Sequence, residues 1–300
     1  MRSVFKRSVV IITIVIVAIF AFVFFVFYSK PSVPPIEPLD NSKNLIPIYK
    51  VIGTSVEERK IESYTYGNGK NELVFVGGIH GGYEWNSVLL AYQFIDYLNQ
   101  NPEVIPEGLA VTVIPDANPD GVYAVTGKVG RFTVADVSTS TEVLAAGRFN
   151  ADNVDLNRNF DCKWKPESTW QSKTVSAGSK AFSEPETQAI KNFILENNIN
   201  NNIKAVIFWH SQSGNVYASQ CQNGILPETL NIMSTYAKAA SYSAVKTFDA
   251  YATSGAADDW LASINIPAIT VELKTHDTVE WQQNLSGIKA LFAYYSQKKD

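Results

Sequence analysis

The 300-residue chain has three histidines, and two of them close apolar runs that read as buried strands. The first is His80, in LVFVGGIHGGYE at residues 73–84. The apolar part is too short for a helix and rich in β-branched and aromatic residues, the mark of a strand covered on both faces. Gly81 and Gly82 permit a tight turn and close approach of backbone to a ligand, and Glu84 falls in the first turn of the helix that follows. A histidine and a carboxylate from one short loop can converge on one ion, with a third ligand from elsewhere. Alone, the stretch reads equally well as a core histidine beside a glutamate at a helix start. His210 tips the balance, because it too follows a buried-strand run, IKAVIFW at 203–209. His80, Glu84 and His210 make a His2Glu set, the ligand type of a catalytic zinc that keeps a fourth position open. His276 lies in the polar run KTHDTVEW and is expected to be a solvated loop residue.

The elements that must hold these groups alternate between strand and helix. First strands are expected within 46–66, from LIPIYKVIG and IESYTYG, followed by the strand at 73–79. A helix over 84–98 carries Leu89, Leu90, Phe94, Ile95 and Leu98 on one stripe, and LAVTVIP at 109–115 is another buried strand. Strand, helix, strand implies a right-handed parallel crossover, and in such sheets ligands bind outside the carboxyl ends of the strands. DANPDG supplies turn chemistry at Asn118 to Gly121, and residues 122–182 form a long irregular stretch of the kind that is usually functional. Ser183 and Glu186, with Pro185 between them, predict a capping box that opens a helix bearing Ile190, Phe193 and Ile194. A helix over 227–243, a strand PAITVEL at 267–273 and a terminal helix near 285–298 complete the pattern.

Taken with DLNRNF at 155–160, HSQSG at 210–214, YATSGAADDW at 251–260 and TVEL at 270–273, these motifs resemble those of the zinc metallocarboxypeptidases of the carboxypeptidase A and B type, in the same order. The resemblance covers roughly residues 46–298. It implies an α/β three-layer sandwich around a mixed, mainly eight-stranded sheet, with one zinc per chain held by His80, Glu84 and His210. It also implies that Asp155 orients His80, that Asn157 and Arg158 bind a terminal carboxylate, and that Tyr251 closes over it. Both kinds of contact make physical sense, because guanidinium pairs bidentately with carboxylate and a ligating imidazole needs an acceptor on its other nitrogen. Arg148 matches the residue that stabilises the oxyanion, with Arg131 in the same long loop as the other candidate. Glu272 matches the general base, and a carboxylate near the end of an apolar strand fits that use.

Counting without a gap from Tyr251 places Asp258 at the base of the side-chain pocket, which implies a preference for basic C-terminal residues. Capping of a helix start is the plainer reading of the same aspartate. One departure is the spacing of the first motif, which has three residues between His80 and Glu84 where the family usually has two. The function implied is hydrolysis of the C-terminal peptide bond of peptides or proteins. Two alternatives stand beside it, an amidase or peptidase acting on cell-wall peptides of the diaminopimelate type and an inactive peptide-binding protein.

The remaining sequence bounds the setting. A 46% hydrophobic content is enough for one sizeable catalytic domain, assigned to residues 46–300. Residues 9–28 form an apolar run long enough to span a bilayer. It ends in Phe-Val-Phe-Tyr rather than in small residues, which favours an uncleaved anchor over a signal peptide. Arg2, Lys6 and Arg7 within residues 1–8 place the amino terminus in the cytoplasm and the rest outside, joined by a proline-rich linker at 29–45. Beyond residue 30 the chain holds 21 basic against 29 acidic residues, a net charge of −8 that argues against a nucleic-acid partner. Cys162 and Cys221, an even count in a chain bound for an oxidising compartment, are expected to pair as one disulfide.

Overall fold

The computed structural model describes residues 46–298. The predicted cytoplasmic terminus at 1–8, the membrane span at 9–28 and the linker at 29–45 lie outside them, and among the described residues no helix is long and apolar enough to cross a membrane. Strands β1 (Ile48–Thr54), β2 (Lys60–Gly67) and β3 (Asn71–Val76) are followed by helix α1 (Trp85–Gln100), strand β4 (Leu109–Ile114) and the short helices α2 (Pro119–Thr126) and α3 (Thr141–Ala146). Next come the hairpin β5 (Glu167–Trp170) and β6 (Lys173–Ser176), helix α4 (Pro185–Asn197), strands β7 (Ile203–Ser211) and β8 (Asn215–Ala218), and helix α5 (Pro227–Ala240). Strand β9 (Ser243–Val245), helix α6 (Ala257–Ser263), strand β10 (Ala268–Leu273) and helix α7 (Trp281–Gln297) close the chain.

Eight strands form one mixed sheet in the order β1-β2-β4-β3-β7-β10-β8-β9, and β5 and β6 pair separately. Its centre, β4-β3-β7-β10, is parallel throughout. The alternation of side chains along each central strand sends residues into two cores. Leu73, Phe75, Ile207, Trp209, Ile269 and Val271 face one side, where α1, α5 and α7 cover them. Val74, Val76, Val206, Phe208 and Ala268 face the other, under α4 and α6. This is the three-layer arrangement, and it explains why these strands read as continuous apolar runs rather than alternating ones. Phe75 shows the packing: it stacks on Trp209 at 5.2 Å and meets Phe94 edge-on at 5.1 Å. Burying such a ring stabilises the fold by roughly 1.5–3 kcal/mol.

Several local expectations are corrected. Asn118 is no turn residue but the cap of α2, its side chain accepting from the Gly121 amide, with Pro119 at the first helical position and Gly127 ending the helix at φ 65°. The predicted capping box at Ser183 does not form. The helix starts one residue later, with Glu184 as its cap, because the carboxylate of Glu186 is engaged elsewhere, by the Val56 amide and Asn150. The stretch 122–182 is less irregular than its sequence suggests, since it carries α3, capped by Ser140, and the β5–β6 hairpin. As expected, His210 stands at the carboxyl end of its strand, β7, which runs one residue further, to Ser211.

Candidate metal centre and substrate cavity

The site lies at the carboxyl ends of three neighbouring parallel strands, β3, β7 and β10. After β3 the chain turns through a single 3₁₀ turn, Gly81–Glu84, before α1 begins. That turn absorbs the extra residue between His80 and Glu84. Gly81 adopts φ +48°, and a Cβ there would lie 2.5 Å from the Gly147 carbonyl, so only glycine lets the loop sit this close to its neighbours.

His80, Glu84 and His210 are all buried, and each offers a ligand atom within 4.8 Å of the others. Glu84 Oε2 lies 3.0 Å from His210 Nδ1 and accepts from the Ser211 amide at 3.2 Å. Glu84 Oε1 stands 4.0 Å from His80 Nε2. Asp155 Oδ1 is 3.4 Å from the other ring nitrogen, His80 Nδ1. The Arg148 guanidinium enters the same cluster: its Nε donates to Asp155 Oδ2 at 2.9 Å, and its terminal nitrogen is 3.1 Å from His80 Nε2.

Burial and the neighbouring Arg148 cation push His80 down to about 4, so the imidazole is neutral and its lone pair is available. Burial alone would raise Glu84, but the two imidazoles and Arg148 outweigh it and hold the carboxylate at about 2. His210 is raised, because the Glu84 carboxylate overcomes the burial that opposes its cation. Asp155 is held far below the usual carboxylate range, since Arg148, Arg158 and His80 outweigh its desolvation. Two imidazoles and an ionised carboxylate whose ligand atoms converge within 4.8 Å, with Asp155 beside the outward ring nitrogen His80 Nδ1, fit a divalent cation of zinc's preference.

A cavity of about 100 Å³ opens beside the triad. It is lined by His80, Asn157, Arg158, His210, Tyr251, Asp258 and Glu272, among others, so most of the residues singled out in the sequence meet around one space. Asn157 accepts from the Ala257 amide at the start of α6 through its side-chain oxygen, which leaves its NH2 for the cavity. Arg158 is oriented by the carbonyls of Asn157 and Thr169. Tyr251 is half-buried and packs edge-on against Phe248. Glu272 is pushed up to about 7, by burial first and then by the Glu84 carboxylate.

Asp258 is not a helix cap: Ala256 holds that position, and the Asp258 carboxylate accepts from the Thr270 hydroxyl at 3.1 Å. Its neighbour Asp259 turns to the Gln220 amide at 2.8 Å. Cys162 and Cys221 are joined by a disulfide, with Cα atoms 6.0 Å apart, that ties the loop carrying Asn157 and Arg158 to the segment after β8. Arg131 is remote from these groups, paired with Asp96 at the surface, so of the two arginines only Arg148 is at the site.

His276 departs from its expectation. It is part-buried rather than solvated, its Nδ1 2.7 Å from the hydroxyl of Ser211 and its ring 4.8 Å from that of Tyr83. Its polar neighbours in sequence hid this. The signals that could have found it are weak: a rare residue type four positions after Glu272, and a serine directly after a ligand histidine. Trp170 was missed as well, because it sits on the hairpin of the long loop, where its ring lies 4.8 Å from the Arg148 guanidinium.

The sequence model of the zinc carboxypeptidase family (Peptidase_M14) matches residues 39–290. A zinc carboxypeptidase from Simulium vittatum is 27% identical over 246 residues, covering 75% of this chain and 78% of its own. A γ-D-glutamyl-L-diamino acid endopeptidase from Lysinibacillus sphaericus is 23% identical over 238 residues, 74% of this chain and 59% of its own. Among solved structures, thrombin-activatable fibrinolysis inhibitor superimposes with a TM-score of 0.68 at 20% identity, over 86% of this chain and 71% of that one, a likeness of fold.

Proposed function

Because the chain belongs to the zinc carboxypeptidase family, whose members are zinc-dependent peptide hydrolases, we propose that it removes C-terminal residues from peptides or proteins, with a preference for basic ones, on the outer side of a membrane that holds its amino terminus. One observation carries the reading of the site: Asn157, Arg158, Tyr251 and Asp258 share a single small cavity with His80, His210 and Glu272. Space for about one side chain, bounded by groups suited to a terminal carboxylate and ending beside a metal triad, is what an exopeptidase requires.

His80, Glu84 and His210 would hold the zinc, with Asp155 fixing the His80 ring from behind. The metal supplies Lewis acidity at the scissile carbonyl and acidifies the attacking water. Arg158 and the Asn157 amide bind the terminal carboxylate, and Tyr251 covers it from its loop. Glu272 takes a proton from the attacking water and returns it to the leaving amine. A carboxyl lifted to about 7 is matched to that exchange near neutrality. Arg148, held by Asp155 at its Nε and beside the metal ligands through its terminal nitrogens, would supply N–H groups to the oxygen on which negative charge develops. The substrate's basic side chain reaches Asp258, whose carboxylate favours a cation because leaving it buried and unpaired is costly.

Hydrolysis of matched peptides with free and amidated C termini tests this. Amidation is expected to abolish most turnover, and equal cleavage of both forms would remove the exopeptidase assignment. The Lysinibacillus relative, named for a bond to a diamino acid, supports a second reading in which cell-wall peptides are the substrate. Faster turnover of diaminopimelate-containing peptides than of ordinary peptides ending in lysine would favour it.

A further inference from the structure

Three stretches of chain outside the parallel centre of the sheet build much of the cavity wall. The first is the loop before β5, which carries Asn157 and Arg158; the second is β8 and the turn after it, with Tyr217 and Gln220; the third runs from Tyr251 into α6. The metal-ligand candidates lie elsewhere, in β7 and at the turn after β3.

The third stretch is hydrogen-bonded to both of the others. The Gly255 amide donates to the Cys162 carbonyl at 2.8 Å, and the Phe160 amide donates to the Gly255 carbonyl at 3.0 Å. The two stretches lie so close here that a Cβ on Gly255 would stand 2.1 Å from the Arg158 carbonyl oxygen. The Ala257 amide donates to Asn157 Oδ1 at 2.9 Å, and the Gln220 amide to Asp259 Oδ1 at 2.8 Å. Between the first stretch and the second, no backbone hydrogen bond forms among the described residues. The disulfide between Cys162 and Cys221 is their direct link, and it closes the ring of three. Each cysteine is near the wall in sequence, Cys162 four residues after Arg158 and Cys221 directly after Gln220.

We propose that Cys162 and Cys221 are positioning residues for substrate: their bond holds Asn157 and Arg158 at the separation from the Gln220 wall that the terminal residue requires, so that without it substrate binds more weakly while the metal and the bond-breaking step are unaffected. This rests on the carboxypeptidase reading of the site. A crosslink that spans 59 residues stabilises a fold mainly by restricting the unfolded chain. That effect alone moves the melting temperature and leaves the KM of the folded enzyme where it was. Fixing two wall segments against each other acts in the native state instead, where a displacement of about 1 Å in a positioning group is enough to cost up to about 100-fold.

The test compares the zinc-loaded wild-type chain with the double variant Cys162→Ala/Cys221→Ala, at a temperature where both are folded. The substrates are the free-ended peptide that the wild-type chain cleaves fastest and its C-terminally amidated form. The variant is expected to keep its zinc and its kcat, to raise KM for the free peptide at least about tenfold, and to discriminate less between the free and amidated forms. The amino acid released from that peptide, added as an inhibitor, should lose affinity by a similar factor, a readout in which no bond is broken. A lower melting temperature with KM, discrimination and inhibition all as in the wild-type chain would make the disulfide a stabilising tie alone and overturn the proposal. Cys162→Ala/Cys221→Val, which refills part of the space of the lost sulfurs, is measured beside it. If both variants lose zinc or structure, the bond holds the fold rather than the cavity, and the proposal is overturned as well. If the wild-type chain cleaves no free-ended peptide, or cleaves the amidated form equally fast, the carboxypeptidase reading fails and this inference falls with it.

Discussion

Glu272 and His210 stand opposite one another in the parallel pairing of β10 and β7. The expected base and a metal-ligand candidate are therefore set by one backbone register, and a slip of a single residue would turn Glu272 to the other face of the sheet. Glu272→Gln is isosteric and leaves that register intact. It should retain zinc and KM while kcat falls at least about 100-fold, as is usual when a general base is lost. A variant with kcat within a few-fold of wild type would move the proton transfer to another group.

The triad predicts a coupled loss of metal and activity. His80→Ala or His210→Ala should bind zinc substoichiometrically by elemental analysis and be inactive. Removing zinc from the wild-type chain with a chelator should lower the melting temperature, because a metal that binds only the native state adds its binding free energy to folding. Readdition should restore both properties. Full zinc occupancy in either alanine variant would mean that the ligands have been misassigned.

The parts of the fold that were legible are those where one physical requirement governs. The central strands had to be apolar because both faces are covered, and this read directly from LVFVGGI, IKAVIFW and PAITVEL. Their carboxyl ends then located His80, His210 and Glu272. The groups that were missed depend on distant partners. Trp170 reaches the site only because the β5–β6 hairpin folds back on the metal loop, and His276 only because Asn86 holds the carbonyls on both sides of it. The failed cap at Ser183 has the same origin: Glu186 matches the local motif, but a backbone amide 130 residues away claims its carboxylate. Local pattern cannot report a competitor of that kind.

A titration effect on stability is expected at Asp116, just past the end of β4. Its side chain is buried and accepts from the Asn118 amide at 3.1 Å, and burial pushes it up to about 8. In the unfolded chain an aspartate titrates near 4. Between these values the native state holds a proton that the unfolded state has lost, so stability is greatest below about pH 4 as far as this group is concerned and declines as pH rises through 8. Asp116→Asn removes this contribution. Its denaturation midpoint should fall less between pH 5 and pH 8 than that of the wild-type chain, although Glu186, also raised to about 7, preserves part of the slope in both. Equal slopes in the two proteins would show that Asp116 is ionised in the native state throughout this range.

The last prediction concerns Asp258 and the residue removed. Its carboxylate is on the cavity wall, and the Thr270 hydroxyl that donates to it belongs to the same strand as Glu272. Burial raises its pKa, with His210 acting in the opposite direction, so a cationic side chain entering the cavity would relieve a carboxylate that is poorly solvated. Peptides ending in Lys or Arg should thus exceed those ending in Leu or Phe in kcat/KM. Asp258→Ala should lose that preference while keeping the requirement for a free terminal carboxylate, because Asn157 and Arg158 are untouched. Loss of a desolvated charge pair costs roughly 2–5 kcal/mol, enough to cut the rate on basic endings by at least about 30-fold. Asp259, next in sequence, lines the same cavity, but one of its oxygens accepts from the Gln220 amide, and Asp259→Asn is expected to leave the ranking of C-terminal residues in place. If Leu and Phe endings win in the wild-type chain, or if Asp258→Ala leaves the ranking as it was, the selectivity lies with another residue of the cavity.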